Sequence, residues 1–276
     1  MPTFRSAYPV ISHRFAALLL TSFMTLSPAS QAREASTIIP VDAHICSALR
    51  NQGVLRASAP VKCEQLRVVQ FSYLDFDGKV RNDGEIMVMA ATASHVQSLF
   101  AELLKQRFPL AGAKMMQQYR GDDQASMRAN NTSAFNDRAI TNASAPSLHA
   151  YGLAIDINPV QNPFIEVGKD GKASISPVAG RTYLNRQSTR PGKPARKGMA
   201  EEVVDLLAMH GFTIWGGDWD APLDYQHFQV SRSLAKKLAA LPEAQARAAF
   251  DAHVADYRKC IAGKPSATAR VQCAVP

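Results

Sequence analysis

Hydrophobic and polar positions first follow the period of β-strands and then that of a helix. Residues 68–76 are rich in β-branched and aromatic side chains, Asp77-Gly78 favours a turn, and the pattern returns over residues 80–89. This arrangement predicts a β-hairpin. A helix is expected between Thr92 and Pro109, packed on the hairpin, because apolar residues recur there at helical spacing: Val96, Leu99, Phe100, Leu103 and Leu104.

The second half of the chain alternates short strands with helices. Residues 153–158 predict a strand whose Ala154, Asp156 and Asn158 face away from Leu153, Ile155 and Ile157. Further strands are expected over residues 212–215 and 227–230, and a helix before Gly211. The Ala-rich residues 234–257 predict helix, interrupted at Pro242. The whole predicts an α+β fold, with a small antiparallel or mixed sheet flanked by helices.

Three stretches lack a regular pattern. Residues 33–66 predict an irregular N-terminal segment. Residues 119–146 are polar and loop-like, and we expect them beside the active site. Residues 166–197 are rich in Gly, Pro and charged residues, which predicts a long surface loop that caps the cleft.

The first 32 residues are typical of a secretory signal peptide. Arg5, His13 and Arg14 precede a short apolar run over residues 15–24, and small residues follow. We expect cleavage after Ala32 and export across the inner membrane, to the periplasm or the extracellular space. An uncleaved membrane anchor is the alternative, although the run is short for a bilayer.

Charge and cysteines narrow the class of protein. Removing residues 1–32 lowers the formal net charge from +8 to +6. The basic residues look scattered and no aromatic-basic array is evident, so we expect no nucleic-acid partner.

Four cysteines allow three pairings, and in an oxidising compartment Cys46–Cys63 and Cys260–Cys273 are the simplest.

Two short motifs carry the candidate chemistry. In the first, His149 is followed by Gly152 and then by Asp156, a carboxylate between two isoleucines that is expensive to bury unless it is paired or binds a metal. In the second, Asp224 precedes His227 by three residues. If the two strands pair, two imidazoles and a carboxylate converge, as in catalytic zinc sites.

Other interpretations of these residues stay open at this point. Asp156 could bridge an arginine, or could act with Asp224 as a pair of acids in a metal-free hydrolase. Outside the predicted signal peptide, four further histidines have no ligand spacing around them and are expected to be structural or surface residues: His44, His95, His210 and His253.

The combined motif resembles the D-alanyl-D-alanine carboxypeptidase family of zinc peptidases. The matching residues are Ser147-x-His149-x-x-Gly152-x-Ala154-x-Asp156, followed by Asp224-x-x-His227. Residues 130–138, 149–163 and 215–219 resemble the branch that contains L-alanyl-D-glutamate endopeptidases, so the resemblance spans roughly residues 90–231. It implies a hedgehog/D-Ala-D-Ala peptidase-like fold.

The resemblance also implies roles for individual residues. His149, Asp156 and His227 would bind Zn²⁺, and Asp224 would be the catalytic base. Ser147 and one arginine would hold the substrate; Arg138 is our choice, with Arg120 and Arg128 as alternatives. In that branch a cysteine often precedes this arginine, whereas here Asp137 stands. Trp215 and Trp219 could line the cleft or serve as packing.

The expected protein is therefore a metallopeptidase of the cell wall. Its zinc peptidase domain would span residues 67–231, followed by a helical tail over residues 232–276. The substrate would be the peptidoglycan stem peptide, cleaved at its D-Ala-D-Ala or its L-Ala-D-Glu bond, by a monomer without a transmembrane segment after signal removal. The alternative is a non-catalytic cell-wall-binding protein that keeps the fold and the zinc.

Overall fold

A three-stranded antiparallel sheet supports one side of the fold. It consists of β1 (Thr37–Pro40), β2 (Leu66–Leu74) and β3 (Val80–Met89) in that order. The computed structural model describes residues 1–3, 36–141, 143–264 and 266–274. β2 and β3 form the hairpin that the hydrophobic pattern predicts, so this prediction is confirmed.

The N-terminal segment is more regular than expected. It contributes β1 to the sheet and then forms α1 (Ala43–Asn51), whose first turn is capped by Asp42. The prediction of an irregular segment is wrong here, because a four-residue strand and a nine-residue helix are stabilised by pairing and packing rather than by local pattern.

The predicted amphipathic helix is confirmed as α2 (Ala93–Lys105). Its apolar face packs on the sheet, and the Phe100 ring stacks on Phe71 with 3.8 Å between centroids. Leu99 and Phe100 are fully buried. Each such side chain contributes roughly 2–3 kcal/mol by leaving water. This layer of sheet and helix lies behind the candidate site.

The polar segment of residues 119–146 contains one short helix, α3 (Asp123–Arg128), capped by Asp122. Apart from isolated bridges and the end of a 3₁₀ turn at Tyr119, the other described residues of the segment are loop. A six-residue polar helix has no hydrophobic period to reveal it.

Two smaller sheets carry the chemistry. One has β4 (Ala154–Asp156), β7 (Ile214–Trp215) and β9 (His227–Gln229) in the order β4-β9-β7. The other has β5 (Phe164–Val167), β6 (Ala173–Ser176) and β8 (Leu223–Asp224) in the order β6-β5-β8. All pairings in both sheets are antiparallel.

The hairpin of β5 and β6 corrects the prediction of a structureless loop over residues 166–197. Its turn is made by Asp170 and Gly171, where Gly171 has φ +74° and the Lys172 amide donates to the Asp170 carboxylate. The remainder of that stretch, from residue 177 onward, contains turns and 3₁₀ helix but no further strand among its described residues.

Helices complete the fold. α4 (Val204–Met209) precedes Gly211, and the tail forms α5 (Arg232–Ala240), α6 (Glu243–Ile261) and α7 (Ala267–Ala274). The break at Pro242 is confirmed. Both predicted disulfides, Cys46–Cys63 and Cys260–Cys273, are present.

The class is therefore α+β, with small antiparallel sheets and helices, as the pattern predicts. The predicted signal peptide spans residues 1–32 and, apart from its first three residues, lies outside the described part of the chain. Among the residues described, no helix combines the length and apolar character needed to cross a membrane.

Candidate metal centre

Two paired strands and one turn bring three polar side chains together. Asp156 on β4 stands directly opposite His227 on β9 in the antiparallel register. His149 comes from a single 3₁₀ turn, Leu148–Tyr151, immediately before β4. All three are buried. The strand pairing that the sequence interpretation required is thus present.

Gly152 makes the approach of His149 possible. It has φ +66°, a left-handed conformation that L side chains rarely adopt. A Cβ built on it would lie 2.6 Å from the Met89 nitrogen of β3. The same nitrogen donates a 3.0 Å hydrogen bond to the Gly152 carbonyl. The turn therefore sits directly on β3 and returns His149 towards Asp156.

The donor atoms of the three residues face one point. Asp156 Oδ1 lies 3.0 Å from His227 Nδ1, and Asp156 Oδ2 lies 3.2 Å from His149 Nε2. The two imidazole nitrogens are 3.1 Å apart. One donor atom from each residue lies within 4.8 Å of the other two.

The hydrogen bonds of the outer ring nitrogens set the tautomers. His149 Nδ1 must donate to the Ala134 carbonyl at 2.6 Å, because a carbonyl only accepts, so neutral His149 presents a lone pair at Nε2. His227 Nε2 lies 2.8 Å from Gln229 Oε1 and leaves Nδ1 facing the cluster. Two imidazole lone pairs and a carboxylate are a donor set that fits a divalent cation such as zinc.

The charges of this cluster stabilise one another. Burial alone would raise the pKa of Asp156, but the charges of His149 and His227 and their hydrogen bonds outweigh it and hold the pKa below its ordinary value. Burial alone would lower the pKa of His227, but the hydrogen bond to Asp156 and its charge raise it to about 9. The carboxylate therefore favours positive charge between these groups, either as a proton on an imidazole or as a bound cation.

Asp224 lies on β8, opposite Phe164 of β5. Its Oδ1 atom is buried and has no hydrogen-bond partner among the described residues. Burial, aided by the charge of Asp156, raises the pKa of Asp224 to about 7. A carboxylate in this state exchanges a proton readily near neutral pH.

A cavity of about 380 Å³ opens beside these groups, and we call it the metal-side cavity. His227, Asp224 and Ser147 are part of its wall. Ser147 also caps the 3₁₀ turn, since its Oγ accepts from the His149 amide at 3.3 Å. The predicted substrate serine therefore borders the cavity while holding the turn that carries a predicted ligand.

The three arginine candidates are placed differently. Arg138 lines the metal-side cavity, forms a 3.0 Å ion pair with Asp123, and has a buried Nε atom without a partner among the described residues. Arg120 and Arg128 are exposed and are absent from the cavity wall, and the Arg128 side chain is 63% exposed.

Asp137 holds the backbone next to Arg138. Its carboxylate accepts from the Arg56 amide at 2.9 Å and from the Arg56 guanidinium at 3.0 and 3.1 Å, although its own side chain is only 2% exposed. The Asp137 amide donates to the Val54 carbonyl at 3.1 Å. A charge pair thus secures the loop where the branch often has a cysteine.

The cavity also contains residues that no motif indicated. Asp123 and Gln124 of α3, Phe164, Glu166 and Ser174 of the β5–β6 hairpin, and Arg232 of α5 all line it. They come from segments far apart in the chain. The predicted placement of residues 119–146 beside the site and of residues 166–197 over the cleft gave a signal for part of them.

The two tryptophans take different positions. Trp219 lines the cavity and lies 5.5 Å from the His227 ring. Trp215 packs against Phe228 and donates its indole N–H to the Tyr225 carbonyl, which is a packing role. The remaining histidines stay outside the cluster: His95, His210 and His253 have other partners and His44 is exposed.

Comparison with known proteins agrees with the motifs. Residues 141–230 match the family model described as D-alanyl-D-alanine carboxypeptidase. Searches of curated proteins and of solved structures found no match. The matched segment contains His149, Asp156, Asp224 and His227, whereas Arg138 precedes it. The match over residues 141–230 thus confirms the resemblance to the D-alanyl-D-alanine carboxypeptidase family that the motifs predict.

Proposed function

We propose that this protein is an exported, zinc-dependent peptidase that hydrolyses the peptide stem of peptidoglycan. The observation that carries the proposal is the meeting of His149 Nε2, His227 Nδ1 and the Asp156 carboxylate beside a cavity that also holds Asp224. The family match over residues 141–230 supports the peptidase activity.

The three donor residues would hold the metal. His149 and His227 are kept in the required orientation by the Ala134 carbonyl and by Gln229, which also makes the imidazoles better ligands. Zinc bound there would polarise the scissile carbonyl and lower the pKa of a water molecule.

Asp224 would move the proton. Its buried Oδ1 atom is free to accept a proton from the attacking water and to donate it to the amine of the leaving group. Burial raises the pKa of Asp224, which favours its uptake of a proton from the attacking water.

Arg138 and Ser147 would hold the substrate in the cavity. The guanidinium of Arg138 offers a buried N–H without a partner among the described residues, which suits a substrate carboxylate. In the stem peptide, both the D-Ala-D-Ala bond and the L-Ala-D-Glu bond lie near a free carboxylate that Arg138 could bind. Mass spectrometry of wall fragments after incubation separates them, since one reaction removes a single alanine and the other releases a longer peptide.

The location also belongs to the proposal. Two disulfides, at residues 46–63 and 260–273, require an oxidising compartment to persist. Together with the signal-like first 32 residues, they support export to the periplasm or beyond.

The test uses Asp224→Asn with Asp220→Asn as a matched control, an exposed aspartate four residues away that does not line the cavity. We expect turnover of purified peptidoglycan stems to fall about 10²- to 10⁴-fold in Asp224→Asn and to stay near wild type in the control. Zinc content should be equal in all three proteins.

Three outcomes contradict the proposal. Equal turnover in Asp224→Asn would remove the base from the mechanism. No stem product from the zinc-loaded wild type would favour a non-catalytic wall-binding protein. Full activity after exhaustive chelation would favour a metal-free hydrolase with Asp156 and Asp224 as paired acids.

A further inference from the structure

One continuous segment of the chain carries only positive charge. Residues 171–200 contain seven lysines and arginines and no aspartate or glutamate. The formal net charge of the whole chain is +8, so this segment alone nearly accounts for it. The interpretation of scattered basic residues is therefore wrong for this part of the molecule.

The segment folds around a second cavity, of about 530 Å³, which does not share a lining residue with the metal-side cavity. Arg190, Arg196 and Lys197 line it together with the aromatic rings of Phe76 and Tyr183. We call it the basic pocket. Phe76 is 38% exposed, so an apolar surface is presented beside the cations.

The cations of the basic pocket repel one another. Burial, together with the charges of Arg190 and Arg186, lowers the pKa of Arg196. The Arg196 guanidinium lies 5.0 Å from the Tyr183 ring centroid and donates to the backbone carbonyls of Thr182 and Asn185. These partners are neutral, so they orient the guanidinium without cancelling its charge.

No acid neutralises this cluster. Within the described part of the chain, Arg190, Arg196 and Lys197 take part in no ion pair, and the buried Nε atom of Arg190 has no partner. The neighbouring Arg186, by contrast, is paired with Glu201 at 2.6 Å. Three cations gathered without a counter-charge form a site that an oxyanion stabilises.

We propose that the basic pocket binds free carboxylates of peptidoglycan and attaches the protein to the polymer away from the metal centre. This inference rests on the proposed function for the identity of the polymer. The chain that forms the β5–β6 hairpin beside the metal-side cavity continues directly into the segment that lines the basic pocket. Arginine forks match carboxylates in geometry, and stem peptides carry such groups along the whole polymer.

The experiment measures binding and not turnover. Co-sedimentation with insoluble peptidoglycan is recorded for the full, zinc-loaded chain in an Asp224→Asn background, which preserves the polymer. The test variant is Arg190→Gln/Lys197→Gln, because neither side chain has a hydrogen-bond partner among the described residues. The matched control, Lys236→Gln/Lys237→Gln, removes the same charge from two exposed residues of α5.

We expect the test variant to bind peptidoglycan roughly tenfold more weakly, because each lost cation removes a hydrogen bond to a charged carboxylate. Its binding should also lose most of its dependence on salt concentration, because salt screens the attraction between these charges. The control should bind like the parent protein. Unchanged binding of the test variant, or an equal loss in the control, overturns the proposal.

Two further arms identify the ligand. Vesicles with anionic phospholipid and a single-stranded oligonucleotide are offered to the same proteins; tighter binding to either than to peptidoglycan overturns the proposal. Turnover of a short soluble stem peptide is measured with Asp224 restored. It should be equal in the test variant and the wild type, and its absence in both would refute the proposed function while leaving the binding result intact.

Discussion

Asp156 is a charged residue in surroundings that oppose charge. Its neighbours Ile155 and Ile157 are fully buried, and the Asp156 side chain is nearly inaccessible to solvent. Its free energy of burial is offset by His149 and His227 at 3.2 and 3.0 Å. The three groups depend on one another, and removing the carboxylate should disable the whole donor set.

We therefore expect Asp156→Asn to weaken zinc binding at least roughly tenfold, because an amide keeps the shape but removes the anionic ligand. Zinc content after dialysis against a fixed chelator concentration measures this. Asp123→Asn is the control, since Asp123 also lines the cavity but is not one of the donors. Equal zinc retention in both variants would contradict the assignment of Asp156.

The Asp137–Arg56 pair makes a separate prediction about substrate binding. Asp137→Asn removes the charge that holds Arg56 and loosens the backbone beside Arg138. We expect KM for a stem peptide to rise several-fold with a smaller change in kcat, and the free energy of unfolding to fall by about 1–2 kcal/mol.

Steady-state kinetics and urea denaturation measure these two quantities. Asp83→Asn, which breaks the exposed pair with Lys114, is the control and should leave KM unchanged. A drop in kcat alone for Asp137→Asn would assign the residue to the chemistry and not to positioning.

At this scale the sequence predicts the donor residues but not their surroundings. His149, Asp156 and His227 lie on a turn and two strands whose period can be read locally, so their faces are predictable. Asp123 and Arg232 reach the cavity from helices whose placement depends on tertiary packing. No residue spacing along the chain indicates that these two helices lie beside the cavity.

At the scale of elements, the turn that ends in Gly152 joins the metal centre to the main sheet. It requires both a positive φ and the absence of a Cβ, because β3 lies within 2.6 Å of where that atom would stand. The two requirements can be separated, since Gly78 has φ +78° and an open surrounding.

We expect Gly78→Ala to lower the free energy of unfolding by about 1 kcal/mol, the cost of the left-handed conformation alone. Gly152→Ala should cost at least about 2 kcal/mol more, because β3 or the turn has to shift. Chemical denaturation of both variants measures the difference. Equal losses would mean that the turn moves freely and does not position His149.

The strands that sequence analysis missed are short. β1, β5 and β6 each have four residues, so neighbouring strands stabilise them more than their own propensities do. The β2–β3 hairpin and α2 were predictable because their apolar periods extend over nine or more residues.

For the whole molecule, buried histidines connect stability to pH. Burial lowers the pKa of His253 from its ordinary value of 6.5, and burial likewise lowers that of His210. As the pH falls, the unfolded chain therefore binds protons at these histidines before the folded chain does. Their contribution to the free energy of unfolding is fully present above about pH 6.5 and is lost as the pH falls through the folded-state pKa.

We expect the free energy of unfolding to decline between pH 7.5 and 5, each value set by urea titration. His253→Gln should reduce this slope, because an amide can still donate to the Gly211 carbonyl but does not titrate in this range. His44→Gln, at an exposed position, is the control and should keep the wild-type slope. Changes common to all three proteins, including those at the metal centre, cancel in the comparison.

The division of the cavity between two sheets has a consequence for engineering. The candidate metal donors lie on β4 and β9 and in the turn before β4, whereas Asp224 shares a sheet with the β5–β6 hairpin. Only Tyr225 and Gln226 separate Asp224 of β8 from His227 of β9, so the two sheets meet at this point of the chain. Because Phe164 of β5 pairs with Asp224, a library that varies the cavity-facing side chains Glu166 and Ser174 and keeps the hairpin backbone should change which peptides enter without displacing Asp224.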